Sequence, residues 1–156
     1  MSHFVRILIA FAVMASAGPA LGQSKTVPYW ASIRAEKVHM RVGPSLTYKI
    51  DWVYKRSGLP VRVLRRMEGW RLIEDPDGAR GWMLGRFLTL DRTAIVDGDR
   101  PAEMRAQAND SSALLWRLEP GVSGALGQCD AGWCVLQIKG TKGFVKADRL
   151  WGDGAP

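Results

Sequence analysis

Three groups of residues in this chain have types and spacings that could do chemistry. Cys129 and Cys134, in Cys-Asp-Ala-Gly-Trp-Cys, are the only cysteines. Glu74, Asp75 and Asp77 bring three carboxylates close together, and Tyr48, Trp52 and Tyr54, followed by Lys55 and Arg56, form the densest aromatic-plus-basic cluster. A thiolate nucleophile needs a base in reach and a zinc site needs a full set of ligands, yet beyond residue 22 the only histidine is His39. Paired carboxylates can act as acid and base, but these three fall in or beside Asp75-Pro76-Asp77-Gly78, a turn in which aspartate is wanted for backbone reasons. The aromatic cluster differs in kind, because rings stack on sugars or peptides while arginine and lysine attract negative charge. Tyr48, Trp52, Tyr54 and Arg56 are therefore candidate ligand-binding residues, and no catalytic residue, metal or cofactor is expected. Alternating apolar positions suit Trp52 and Tyr54 equally well as core.

The compartment decides how the cysteines are read. The chain opens Met-Ser-His-Phe-Val-Arg, continues in an apolar run from Ile7 to Ala17, and then gives Gly18-Pro19-Ala20-Leu21-Gly22-Gln23. Charged start, short apolar stretch, breaker and small residues have the layout of a cleavable signal peptide. The run is well short of the ~20 residues that span a bilayer. Residues 1–22 are read as the signal peptide, with no transmembrane segment in what remains, and the location is periplasmic or secreted. In an oxidising compartment Cys129 and Cys134 are expected to bridge, with Asp130-Ala131-Gly132 supplying the turn, for about 2 kcal/mol of chain-entropy stabilisation. The segment removed holds one of the 22 basic residues and none of the 15 acids, so the remainder carries a net charge of +6. In the cytosol that would suggest nucleic acid. An exported chain meets lipid headgroups, lipopolysaccharide and acidic wall polymers instead, so nucleic acid is not the expected partner.

The elements that must position these residues come in two copies. Met40-Arg41 recurs as Met104-Arg105, Gly69-Trp70 as Gly132-Trp133, Gly81-Trp82 as Gly143-Phe144 and Leu88 as Leu150, at separations of 62 to 64. Within each copy apolar residues alternate with polar ones, as in Val38, Met40 and Val42, and turn sequences such as Glu68-Gly69 punctuate the runs. Five or six short strands per copy give an all-β fold, with a helical turn or two expected only over Ser111 to Leu118. Trp70 with Trp133, and Trp82 with Phe144, are expected to anchor the packing of each copy. Arg62, Arg65 and Arg66 make a second basic cluster. Leu115, Trp116 and Leu118 stand where the first copy has its aromatic-basic cluster, and this more apolar stretch is expected to be the seam between copies.

The stretch from Ala31 to Ser45, ending in Arg41-Val42-Gly43-Pro44-Ser45, resembles the opening of a bacterial SH3-like (SH3b) domain. Residues 52–61, Gly69-Trp70-Arg71-Leu72-Ile73 and Asp77-Gly78-Ala79-Arg80-Gly81-Trp82 are similar to its exported proteobacterial subfamily, as are Gly132-Trp133-Cys134-Val135 and Gly143-Phe144-Val145 in the second copy. The resemblance implies two tandem small SH3-like barrels, residues 23–91 and 92–156, following the signal peptide. It also implies a non-catalytic module that engages peptidoglycan or another cell-envelope component, or alternatively an adaptor that recognises a peptide of an exported partner protein. Protein recovered from periplasm or medium should begin near Gln23 on N-terminal sequencing. A full-length chain held in the membrane fraction would make residues 1–22 an anchor.

Overall fold

In the computed structural model the described residues are 25–156, so the leader read over residues 1–22 lies outside them. Fourteen strands form two seven-stranded antiparallel sheets. The first repeat contains β1 (Tyr29–Ile33), β2 (Val38–Arg41), β3 (Ile50–Tyr54), β4 (Pro60–Met67), β5 (Trp70–Glu74), β6 (Arg80–Leu84) and β7 (Leu88–Thr89). The second contains β8 (Thr93–Val96), β9 (Ala102–Arg105), β10 (Leu114–Leu118), β11 (Ser123–Asp130), β12 (Trp133–Ile138), β13 (Thr141–Lys146) and β14 (Leu150–Trp151). The strand orders, β3-β2-β6-β5-β4-β1-β7 and β10-β9-β13-β12-β11-β8-β14, are one topology repeated. Six strands of the first sheet send side chains into one core containing Ala31, Val38, Met40, Tyr54, Val61, Ile73 and Met83. A single sheet that faces one core from so many strands has rolled up on itself, and the fold is a pair of tandem small β-barrels. Ala94, Met104, Leu118, Leu136, Val145 and Leu150 form the second core.

The duplication extends to irregularities. Register shifts fall between Met40 and Arg41 and, in the second repeat, between Leu114 and Trp116 in the matching strand pair. Arg41 lies opposite Trp82 as Arg105 lies opposite Phe144. The hairpin tips of residues 42–49 and 106–113 share almost no sequence but make the same backbone hydrogen bonds. Val42 N donates to Lys49 O and Ala106 N to Ala113 O, while Tyr48 N donates to Ser45 O and Ser112 N to Asn109 O. Arg41 Nη1 braces the first tip through Tyr48 O, and Arg105 Nη1 braces the second through Ser112 O, each at 2.6 Å.

Three expectations need correction. Residues 114–118 are strand β10, not helix, because that stretch pairs with β9 as the counterpart of β3. The helical turns are two short 3-10 segments instead, Gly85–Phe87 and Ala147–Arg149, each leading into the last strand of its repeat. Each repeat has seven strands rather than five or six, the added ones being two-residue segments too short to show a period. The apolar stretch 115–118 is not the seam. Leu118 belongs to its own core, while Leu115 and Trp116 remain exposed. The repeats meet at the opposite margin of the sheets, where Trp30 of β1 and Trp151 of β14 pack edge to face with centroids 4.7 Å apart. Arg92 sits 5.9 Å from the Trp30 ring and donates to Gly152 O at 2.6 Å, and Ser32 Oγ donates to Asp91 O at 2.9 Å. Gly152 is obligatory here, with φ +104 and with Thr93 O only 2.8 Å from where a Cβ would stand.

Two buried polar groups tie the first barrel together. Asp75 Oδ1 accepts from the backbone N–H of Asp77 and Ala79, closing the β5–β6 turn, while its Oδ2 accepts from the Tyr54 hydroxyl at 2.8 Å. Glu74 lies in one rung between Arg62 of β4 and Arg80 of β6 and accepts from both. Burial pushes its carboxyl up, but the hydrogen bonds from Arg80 and Arg62 outweigh that, and its pKa ends below the ordinary 4.5. Tyr54→Phe should lower stability by about 1–3 kcal/mol in urea unfolding, because it leaves a buried carboxylate oxygen unpaired. An unchanged midpoint would show the pair to be dispensable. Because the Glu74 pKa is lower folded than unfolded, its contribution is present above pH 4.5 and is lost as pH falls through the lowered value. Glu74→Gln should flatten that part of the acid-unfolding profile, and a profile parallel to wild type would remove Glu74 as its source.

Candidate functional site

Along β2 the inward residues Val38 and Met40 enter the core, leaving His39 and Arg41 facing outward. The β2–β3 tip brings Leu46 over them, Trp70 opens β5, Leu84 ends β6, and the 3-10 turn adds Arg86 and Phe87. With Lys37 these residues line a groove of about 300 Å³. Its floor is aromatic and aliphatic, its rim carries Lys37, His39, Arg41 and Arg86, and no carboxylate lines it. Arg86 lies 5.0 Å from the Phe87 ring, which holds one cation against the floor.

The second repeat has the same groove, altered residue by residue. Glu103 replaces His39, Asp110 replaces Leu46, Lys146 replaces Leu84 and Arg149 replaces Phe87, while Arg105 and Trp133 keep the places of Arg41 and Trp70. Every new charge finds a partner. Arg105 pairs with Glu103, Lys146 with Asp110 at 2.8 Å, and Arg149 donates to Arg100 O at 2.5 Å. Lys146 also covers the Trp133 ring at 5.5 Å. The remaining space is about 170 Å³. One groove is wider and cationic, and the other is smaller with its charges paired internally.

The four residues singled out from the sequence have different fates. Trp52 is 60% exposed, the most open tryptophan, on the edge strand β3 where the hairpin runs past the barrel end. Tyr54 is 6% exposed and belongs to the core, with little of its ring left at the surface. Burial first, and then the bond to Asp75, raises its pKa well above the usual phenol value, so the hydroxyl stays protonated as a donor. Arg56 Nη2 donates to Gly121 O of the second repeat at 3.1 Å. Trp52, Tyr54 and Arg56 border one cleft of about 400 Å³, with Pro76, Ile95 and Pro120 on its other sides. Tyr48 is apart from them. Its ring lies over Gly43, 2.7 Å from where a Cβ would be, so it pins the hairpin tip.

Sequence reasoning missed the groove around Trp70. Trp70 and Trp133 were expected in the packing, but both are only half-buried and each floors a groove; Trp82 does go inside. The signal was the alignment of the copies. Apolar Leu46 and Leu84 become Asp110 and Lys146 together, a paired exchange that marks two positions in contact. Cys129 and Cys134 form the expected disulfide, directly opposite each other on β11 and β12. The two-residue connection Ala131-Gly132 has φ of 46° and 81°, which suits a tight hairpin.

Comparison with known proteins places this geometry. The family model for the bacterial SH3 domain matches twice, over residues 34–86 and 98–152. YrvJ of Bacillus subtilis, provisionally named an N-acetylmuramoyl-L-alanine amidase, is 22% identical over 135 residues, covering 80% of this chain and 26% of that protein. The chain thus spans about a quarter of the length of this curated relative. Among solved structures, NlpC2 of Trichomonas vaginalis is 11% identical with a TM-score of 0.37, covering 83% of this chain and 50% of that one. An NlpC/P60 family protein of Bacillus cereus is also 11% identical with a TM-score of 0.37, covering 79% and 56%. Superpositions this loose say nothing of function. Two barrels of one strand order, each matched by the same model, carry the conclusion: the chain belongs to the bacterial SH3 domain family.

Proposed function

We propose that this protein is a non-catalytic binding module of the extracytoplasmic compartment and that its first repeat holds peptidoglycan or another anionic envelope component in the groove around Trp70. The observation that carries the reading is the contrast between the two grooves. Ion pairs narrow the second and neutralise its charges, whereas the first leaves the cations of Lys37, Arg41 and Arg86 beside aromatic side chains with no acid in its lining to neutralise them. Such a surface suits a peptide or sugar-peptide bearing carboxylates, because aromatics desolvated on binding supply affinity and the charges supply attraction and register. The amidase name of the Bacillus relative agrees with a wall ligand. The non-catalytic part of the proposal rests on side chains already committed. Both cysteines are in the disulfide, Glu74 is held by two arginines, and Asp75 is saturated by two backbone N–H groups and a tyrosine.

Pelleting with purified peptidoglycan sacculi tests this directly. Wild type should sediment with them. Leu46→Asp combined with Leu84→Lys writes the second repeat's ion pair into the first groove and should weaken sedimentation at least tenfold, about 1.4 kcal/mol, at an unchanged melting temperature. If Trp52→Ala abolishes sedimentation while the double variant binds normally, the ligand lies in the cleft that Trp52, Tyr54 and Arg56 border. Wild type that ignores sacculi but captures one exported protein would replace the wall ligand with the adaptor reading.

A further inference from the structure

On the side of the first barrel away from that groove, β4 and β5 carry an unusual cross-strand pair. Arg66 stands directly opposite Arg71. Residues opposite each other in an antiparallel pair project from the same face, and like charges there are destabilising. The second repeat has the matching rung, since Met67 opposite Trp70 corresponds to Asp130 opposite Trp133, and the next rung in that repeat is Cys129 opposite Cys134. Where one repeat has a covalent bond, the other has two positive charges.

The surroundings make the charge density higher. Lys25, Tyr29, Arg66 and Arg71, with Leu88 and Thr89, line a recess of about 280 Å³ that has no carboxylate in its wall. Arg71 is held rigidly, with Nε donating to the Tyr29 hydroxyl at 3.3 Å and Nη1 to Glu68 O and Trp70 O at 3.0 and 2.8 Å. Arg66 Nη1 reaches Lys25 O at 3.4 Å. Among the described residues none of the three cations is in a salt bridge. An anchored guanidinium, a second one beside it, an ammonium and a phenol hydroxyl around one small recess form a donor set for a tetrahedral oxyanion.

We propose that this recess binds a phosphate group, which neutralises the Arg66–Arg71 pair and takes the stabilising place that the disulfide holds in the second repeat. The site is independent of the groove around Trp70 and does not rest on a wall ligand there.

The test compares phosphate with chloride at equal ionic strength, so that simple screening cancels. For wild type, phosphate should give a saturable rise of a few degrees in melting temperature beyond that in chloride. The Arg71 Nε–H resonance should shift with the same saturation. Arg66→Gln should melt at or above wild type in phosphate-free buffer, because the repulsion is gone, and should lose the phosphate response. Arg65→Gln, an equal charge change on the next residue of β4 and hence the other face, should keep it. The proposal fails if phosphate acts on wild type no differently from chloride, if Arg66→Gln retains the response, or if Arg66→Gln melts below wild type without phosphate. Should that variant not fold, the wild-type resonance alone decides. Arg66-dependent sedimentation with phosphatidylglycerol vesicles, but not phosphatidylcholine vesicles, would assign the phosphate to a lipid headgroup. A response to phosphate without vesicle association would assign it to a soluble or polymer-borne group.

Discussion

Each barrel closes where a strand passes over a methionine with room for a hydrogen atom and nothing larger. A Cβ on Gly81 would stand 2.5 Å from Met40 Cγ and 3.0 Å from Arg41 O, and one on Gly143 would stand 2.7 Å from Met104 Cγ and 2.9 Å from Arg105 O. Real side chains do not approach that closely, so glycine is the residue that lets β6 lie against β2 and β13 against β9. Together with β1–β4 and β8–β11 these pairings join strands distant in sequence, and they turn a meander into a barrel. They also fix Met40 in the core, set Arg41 beside Trp82, and so aim Arg41 at the carbonyl that braces the hairpin tip. The groove around Trp70 inherits its walls from this contact, because the tip is one of them.

Around that shared frame the repeats have exchanged residues in matched sets. Gly43 with the Tyr48 ring above it becomes Gln107 with Ser112, whose hydroxyl accepts from Gln107 N at 2.9 Å. Tyr54 bonded to Asp75 becomes Leu118 and Ile138, both on the apolar side of the second barrel. A tip or a core position tolerates either solution, since the demand is only that a polar group be paired or absent. Changing one member alone would leave a buried carboxylate or an overpacked glycine.

The same pairing logic separates the two repeats in surface charge. The second repeat pairs the charges of its groove internally, and at the rung equivalent to Arg66–Arg71 it has an uncharged disulfide. The first leaves both places cationic. A surface whose charges are unpaired in the free protein retains electrostatic free energy that an anionic ligand can release. Under the proposed function the first barrel carries the binding and the second supports it, the two being joined through Trp30, Trp151 and Arg92.

Much of this was legible along the chain. Alternating residues such as Val38, Met40 and their polar neighbours, Met-Arg and Gly-aromatic landmarks at a spacing of 62 to 64 and two cysteines across a turn determined an all-β fold, its duplication and its disulfide. These signals are local, or compare one stretch with its copy, so they need no knowledge of what lies across the barrel. The fate of individual aromatics was decided elsewhere. Trp52 and Tyr54 share one alternating pattern, yet one is exposed and the other buried, because β3 is an edge strand and only its last residue reaches the core. Trp116 looked like a seam and is surface, while Trp30 and Trp151, which the sequence left as candidates for an exposed stacking surface, form the seam because β1 and β14 lie at or beside the sheet edges that meet. The groove around Trp70 and the recess beside Arg66 and Arg71 gather residues from strands, tips and turns, several of them far apart in the chain. Neither has a sequence period: Arg66 and Arg71 meet across one hairpin rung, but Lys25 reaches them, and Arg86 reaches Lys37 and Arg41, only through the tertiary fold.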